Sequence, residues 1–203
     1  MSKPIDRPPQ QARPLLLVDV DGVISLFGFD PAKPPEGTWH RVDGIAHLLS
    51  ATAGAHLRRL GGEFELAWCT GWEEKADEYL PHALELTERF PHISFADAVP
   101  TVDGHWKLDA IDRYAGPERP VAWIDDAHDH RCHAWSESRP GPTLLITTDP
   151  ACGLTEEHVD ALLGWAAAQV AVTEKTGGSR KAAVDQVAPA SAEPNTSPDV
   201  APK

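Results

Sequence analysis

The feature that most constrains this chain is an apolar run, Leu15–Val18, that ends in two aspartates one residue apart, Asp19 and Asp21. Such a run is typical of a fully buried strand, where acids are rare unless a site holds them. In open α/β sheets, the carboxyl ends of the strands face a crevice. Because side chains alternate along a strand, both aspartates are expected to point the same way, so that a phosphoryl group or a hard cation could contact both, and Gly22 lets the chain turn away.

Strand-like and helix-like segments alternate along the rest of the chain. Strands are predicted at residues 15–20, 65–69, 93–95, 121–124 and 143–146. Helices are predicted at residues 42–60, 73–89 with a break at Pro81, 107–114 and 127–137, and a last helix opens at Thr155 as its N-cap. This order predicts an α/β fold, a Rossmann-like three-layer sandwich with a mostly parallel central sheet and helices on both faces.

Composition predicts one folded domain over residues 15–173. The 203 residues are 41% hydrophobic, which is enough for a core, and no run approaches the roughly 18 apolar residues of a membrane span. Residues 1–14 and 174–203 have few large apolar side chains, so we expect both ends to be disordered. The three cysteines lack CxxC spacing, and a cytoplasmic location is expected.

The formal net charge of −13 bears on possible partners. An acidic surface repels the phosphates of nucleic acids unless a basic patch overrides it, and the sequence shows no cluster of Lys and Arg. Nucleic acid is therefore disfavoured as a partner, without being excluded. A net negative charge is also common in proteins for which its main effect is repulsion between molecules in solution.

Polar residues recur where the predicted strands stop. Thr70 follows the second strand, Asp125 and Asp126 follow a later one, and Lys107 stands at a helix start. Alone, Thr70 fits a helix cap and Lys107 fits an ordinary surface lysine. Together, and in this order, they predict a site.

The same residues resemble the four motifs of the haloacid dehalogenase-like (HAD) hydrolase superfamily. The run from Asp19 to Val23 is similar to the first motif, Thr70 to the second, Lys107 to the third, and the segment that ends in Asp125 and Asp126 to the fourth. The likeness spans most of the chain between Leu15 and Trp165. Within the superfamily, the chain is similar to HAD domains related to those of RNA-repair proteins.

The chemistry of a phosphatase fits these residue types. Asp19 is the candidate nucleophile that forms an aspartyl phosphate, and Asp21 is the candidate acid for the leaving group and base for the attacking water. Charge on the transferred phosphoryl group needs donors in position. Thr70, the N–H groups of the loop at Gly71, and Lys107 are the candidates.

Clustered carboxylates also need a cation, and Mg²⁺ suits a few carboxylates plus water. The resemblance implies Mg²⁺ ligands from Asp19, the Asp21 backbone carbonyl and Asp125. Asp126 would bind the metal through water or orient Lys107. Since the fourth motif occurs in two spacings, Asp129 is the alternative to Asp126 as the second acid.

Zinc is the competing metal, because imidazole and thiolate are its preferred ligands. His128, His130, Cys132 and His133 cluster in the sequence. On a helix, however, His130 and His133 share one face and the other two share another, so convergence of all four is not expected.

The spacing of the motifs leaves no room for a large cap domain. Residues 24–41 include Pro31, Pro34, Pro35 and Gly37 and are expected to form little more than a flap. The resulting open site suits a large phosphorylated substrate such as a phosphoprotein or a nucleic acid end, or a small one shielded by a partner. Trp39, Trp72 and Trp106 are candidates for stacking on a base or ring, although each also fits ordinary packing.

These observations predict a Mg²⁺-dependent phosphomonoester hydrolase with no membrane partner. The alternative is a binding or regulatory module that keeps the fold and the acidic cluster without turnover. The intact set of Asp19, Asp21, Thr70, Lys107 and Asp125 favours the enzyme, since a module without catalysis need not retain all five.

Overall fold

The computed structural model describes residues 13–96 and 105–184, with side chains as far as residue 171. The predicted disordered ends fall mostly on residues 1–12 and 185–203, which lie outside the described residues. The strands are β1 (Leu15–Val18), β2 (Ser25–Leu26), β3 (Gly37–Val42), β4 (Ile45–Ser50), β5 (Glu65–Trp68), β6 (Val121–Asp125) and β7 (Thr143–Thr147). The helices are α1 (Ala53–Leu60), α2 (Glu74–Ala83), α3 (Leu108–Ala115), α4 (His130–Ser138) and α5 (Glu156–Val184).

A four-stranded parallel sheet in the order β5-β1-β6-β7 forms the centre of the fold. Every residue of β1 is fully buried, as expected for a strand with neighbours on both edges and cover on both faces. The predicted parallel sheet is confirmed. Its carboxyl edge is where the residues that follow β1, β5 and β6 meet.

Side chains that alternate along β1 enter two separate cores. Leu16 and Val18 lie in a cluster that includes residues of α1 and α5, such as Leu57 and Leu162. Leu15 and Leu17 lie in a second cluster with Ile111 of α3 and Cys132 of α4. The α/β sandwich with helices on both faces is thus confirmed.

The predicted helix over residues 42–60 is wrong in its first half, and residues 24–41 form more than a flap. Strands β2, β4 and β3 make a small antiparallel sheet, and α1 begins only at Ala53. Val42 pairs with Ile45, so Asp43 and Gly44 are the two-residue hairpin turn, with φ of 50° and 84°. Asp-Gly is a strong hairpin signal. The helical spacing of the apolar residues obscured it.

Two smaller predictions also differ from the structure. Residues 93–95 are not a strand, and a single bridge joins Trp68 to His92 beside them. Helix α2 contains Pro81 without a break there and ends at Ala83, short of the predicted residue 89, and Glu85 just beyond it has a φ of 53°, which a right-handed helix does not allow.

The last helix begins as predicted. The N–H of His158 donates to Thr155 Oγ1 at 3.5 Å, and the N–H of Thr155 donates to His158 Nδ1 at 3.3 Å. This reciprocal pair is a capping box in which histidine takes the usual place of Glu or Gln. The chain divides into two compact units between Gln169 and Val170, within α5, which continues beyond the predicted domain end at residue 173. Among the described helices, none is both long and apolar enough to cross a bilayer.

Candidate active site

Three polar side chains lie buried at the carboxyl edge of the central sheet. Asp19 follows β1, Thr70 follows β5, and Asp125 ends β6, with exposed fractions of 7%, 1% and 1%. The backbone ladder continues to this point, because the N–H of Asp19 donates to the carbonyl of Ile124 at 3.0 Å. The sheet therefore fixes the backbone from which Asp19 and Asp125 project.

Lys107, at the start of α3, lies between the two buried aspartates. Its Nζ is 2.9 Å from Asp19 Oδ2 and 2.6 Å from Asp125 Oδ2. Burial alone would lower the pKa of Lys107, but the charges of Asp19 and Asp125 outweigh it, and the net shift is upward. The lysine therefore stays charged, and Asp125 rather than Asp126 orients it.

Asp19 has a perturbed acidity. Its pKa is raised to about 6, because burial and, less strongly, the charge of Asp125 outweigh the lowering effect of Lys107. Its Oδ1 accepts a hydrogen bond from the N–H of Val20 at 2.8 Å. Above this pKa, Asp19 is an ionised, largely dehydrated carboxylate, which is the form a nucleophile requires.

Asp126 joins the two buried aspartates. Ligand oxygens of Asp19, Asp125 and Asp126 all lie within 4.8 Å of one another. Gly22, with φ of 72°, makes room for this group, because a Cβ there would lie 2.5 Å from the Asp126 carboxylate. Burial and then the charge of Asp125 raise the pKa of Asp126. The donors are all carboxylate oxygens, which fit Mg²⁺.

Asp129 has a different task from its neighbours. Its Oδ1 accepts hydrogen bonds from the N–H groups of Arg131 and Cys132, at 2.9 and 3.1 Å, and so caps α4. Between the two candidates for the second acid, the geometry brings Asp126 into the cluster with Asp19 and Asp125.

Asp21 lies beside this cluster, with half of its side chain exposed. Its Oδ2 accepts a hydrogen bond from Trp72 Nε1 at 2.9 Å. Its Oδ1 is 3.7 Å from Nδ1 of His47, which in turn is 2.9 Å from Ser25 Oγ. The small antiparallel sheet thus brings His47 and Ser25 to the edge of the site.

The second-motif loop follows β5 at the same edge. The hydroxyl of Thr70 lies 3.4 Å from the N–H of Trp72, whose indole reaches Asp21. At Gly71, the nearest atom to an added Cβ would be the ring of Trp106, at 3.8 Å. The indole of Trp106 is half exposed and its centroid is 5.2 Å from Lys107 Nζ. An aromatic surface therefore borders the predicted phosphate-binding residues.

A family profile described as the HAD domain in Swiss Army Knife RNA repair proteins matches residues 15–159. The chain belongs to this family. Membership supports a hydrolase of the HAD type and agrees with the four motifs and the parallel sheet. A crystal structure of a hypothetical protein from Xanthomonas campestris is 16% identical, with 84% of this chain and 94% of that chain covered and a TM-score of 0.42. Among curated proteins, nothing matches this HAD domain.

The histidine and cysteine cluster of this HAD domain does not converge. His128 Nδ1 lies 2.9 Å from Thr147 Oγ1 and its ring meets Trp123 edge-on, while Cys132 is buried in the second core. Within the part of the chain that the structure describes, potential ligand atoms converge at two places, the aspartate cluster and a group of Glu73, Glu74 and His92. The candidate zinc ligands, His128, His130, Cys132 and His133, are not among them.

Sequence reasoning missed two residues of the HAD domain that shape the site. His47 was not predicted as a site residue because its segment was predicted to be helical. Thr148, just after β7, is buried, and its hydroxyl donates to the carbonyl of Gly22 at 2.8 Å. It ties the β7 loop to the turn that follows β1. The polar segment of residues 147–150 follows an apolar strand, and this pattern could have indicated Thr148 as a residue at the edge of the sheet.

Proposed function

We propose that this HAD domain is a Mg²⁺-dependent phosphomonoesterase that works through an aspartyl-phosphate intermediate. The observation that carries the proposal is the buried contact of Lys107 with Asp19 and Asp125, with Asp126 completing the acidic group. Three carboxylates against one ammonium leave an excess of negative charge, which a divalent cation would balance.

Oxygens of Asp19, Asp125 and Asp126 would hold the metal, together with the Asp21 carbonyl that the family likeness implies. Bound Mg²⁺ would supply Lewis-acid stabilisation of charge on the phosphoryl oxygens. Lys107, already charged and fixed, would donate to the same oxygens, as would Thr70 and the N–H groups of the Gly71 loop.

The protein's own groups then divide the reaction into two steps. Asp19 attacks phosphorus as the bond to the leaving oxygen breaks, and Asp21 gives that oxygen a proton. In the second step a water loses a proton to Asp21 as its oxygen bonds to phosphorus, and the bond to Asp19 breaks. Phosphate leaves and both carboxyl groups return to their starting state.

The candidate substrate class comes from the family and from the exposed groups at the edge of the site, since the side chains of Asp21 and Trp106 are both about half exposed. The family description names RNA repair, so a phosphorylated RNA end is the first macromolecular substrate to test. The net charge of −13 argues the other way, which makes a phosphopeptide the natural comparison. The half-exposed Trp106 beside Lys107 offers a stacking surface for a base next to the scissile phosphate.

The decisive experiment measures hydrolysis of an aryl phosphate with Mg²⁺ or with EDTA, for the wild type and for Asp19→Asn. The matched control is Asp30→Asn, in an exposed turn where Asp30 Oδ1 accepts from the N–H of Ala32 at 2.9 Å. We expect activity that needs Mg²⁺, falls at least about a thousandfold in Asp19→Asn and is unchanged in the control. Equal rates for wild type and Asp19→Asn would contradict the proposal.

A second measurement tests the intermediate directly. After an acid quench, wild-type protein incubated with radiolabelled substrate should carry label that hydroxylamine releases, as an acyl phosphate does. Asp19→Asn should carry none. Lack of turnover on aryl phosphates, RNA ends and phosphopeptides, together with tight binding of one protein, would favour the module without catalysis.

A further inference from the structure

We propose that Trp72 positions Asp21 for proton transfer and that His47, from the small antiparallel sheet, holds the indole of Trp72 in place. This inference rests on the proposed function and extends it to two residues outside the four motifs. Its basis is the 2.9 Å hydrogen bond from Trp72 Nε1 to Asp21 Oδ2.

Asp21 needs such support more than its neighbours do. Asp19 and Asp125 are buried and held by Lys107 and by backbone N–H groups, whereas half of the Asp21 side chain is exposed. A general acid must lie within about 2.6–3.2 Å of the atom it protonates. An exposed carboxyl group with free rotation would spend much of its time outside that range.

The indole also distinguishes the two oxygens of Asp21. An indole N–H can only donate, so Asp21 Oδ2 is the acceptor. In a protonated carboxyl group the carbonyl oxygen is the better acceptor, so this contact favours the proton on Oδ1. Oδ1 is left to carry the proton that passes to the leaving group and that returns from the attacking water. The Trp72 contact thus favours one oxygen of Asp21 for proton transfer, in addition to positioning the carboxyl group.

The indole is itself fixed on two sides. Trp72 packs against the larger hydrophobic core, and its ring meets the ring of His47 edge-on with a centroid distance of 4.7 Å. His47 is mostly buried and hydrogen-bonded to Ser25 Oγ at 2.9 Å. The sheet between the first two motifs therefore supports the general acid.

The test compares two substrates that differ in how much they need an acid. Phenyl phosphate has a poor leaving group that needs protonation, and dinitrophenyl phosphate has a good one that does not. In Trp72→Phe we expect kcat/KM for phenyl phosphate to fall about 30-fold and that for dinitrophenyl phosphate to fall less than about threefold. His47→Ala should show the same pattern more weakly. Because both substrates are measured on one sample, a partly unfolded fraction cancels from the ratio.

The matched control is Trp135→Phe, which removes an indole N–H bond to Asp112 Oδ1 at 3.0 Å in a different part of the fold. It should leave the ratio of the two substrates unchanged. A spectroscopic measurement adds independent evidence: the indole N–H resonance of Trp72 should shift in Asp21→Asn, while that of Trp135 should not.

The outcomes separate this inference from the proposed function. If the wild type hydrolyses both substrates with Mg²⁺ and Trp72→Phe keeps the wild-type ratio, the positioning role is wrong and the phosphatase stands. If the wild type hydrolyses no phosphomonoester, the proposed function fails and the positioning role fails with it. An equal loss on both substrates in Trp72→Phe also overturns the role, because it indicates general damage to the site.

Discussion

Lys107 Nζ lies 2.6 Å from Asp125 Oδ2, and the two side chains are only 4% and 1% exposed. Removing one partner of a buried ion pair leaves a charge without compensation, which destabilises a fold far more than loss of a surface pair. In Lys107→Met, moreover, Asp19 loses the same partner. The stability of the site and its chemistry are therefore linked at this residue.

We expect Lys107→Met to lower the free energy of unfolding by about 3 kcal/mol in EDTA, with part of the loss recovered in Mg²⁺. Urea titrations in both buffers measure this. Lys75→Met, which breaks the exposed pair with Asp43, is the control and should change little in either buffer. A Lys107→Met protein as stable as the wild type in EDTA would contradict the buried geometry.

Gly22→Ala should damage metal binding as well as stability. A Cβ at residue 22 would lie 2.5 Å from the carboxylate of Asp126, in a backbone conformation with φ of 72°. Gly28 has nearly the same φ, 75°, with nothing within 4 Å of an added Cβ. Gly28→Ala therefore measures the backbone strain alone, about 1 kcal/mol.

The two alanine variants should differ in urea titration and in Mg²⁺ dependence. Gly22→Ala should lose more stability than Gly28→Ala and require at least about tenfold more Mg²⁺ for half-maximal activity. Equal Mg²⁺ dependence in the two variants would show that Asp126 does not take part in metal binding.

Trp106→Ala should weaken the binding of substrates that contain a nucleobase more than the binding of substrates without one. Stacking on an aromatic ring contributes about 1–3 kcal/mol per base, so KM for a phosphorylated oligonucleotide end should rise roughly tenfold with little change for a phosphopeptide. Tyr114→Ala is the control, since Tyr114 is 37% exposed and lies in the last turn of α3, at the opposite end of that helix from Lys107. The same rise in KM for both kinds of substrate would argue against a base-stacking role.

At acidic pH, we expect the hydrogen bond that caps the start of α5 to be lost because His158 becomes protonated. Burial lowers the pKa of His158, and its Nδ1 accepts from the N–H of Thr155 only while it is neutral. Because the folded pKa lies below the unfolded value of 6.5, this contribution is present above pH 6.5 and is lost as pH falls through the folded pKa.

His158→Gln keeps an acceptor that does not titrate. Between pH 7.5 and pH 5, the wild type should lose about 0.5–1 kcal/mol more stability than His158→Gln, as measured by urea titration. Other acid-sensitive groups are common to both proteins and cancel in the difference. Parallel stability curves for the two proteins would remove His158 from the cap.

The sequence alone determined the parallel sheet and the approximate positions of the motif residues. Apolar runs that stop in Asp19, Thr70 and Asp125 are local patterns, and the carboxyl ends of parallel strands meet at one edge whatever the details of packing. The cap of α5 at Thr155 is local in the same way. Such features are predictable because short segments specify them.

Only the tertiary structure decided which groups touch. Asp126 rather than Asp129 joins the acidic cluster because the room for it comes from Gly22, more than one hundred residues away. His47 reaches the site because an Asp-Gly turn folds its segment into a hairpin, where apolar spacing alone suggested a helix. Distances between side chains on different elements depend on packing across the whole core, which no single segment encodes.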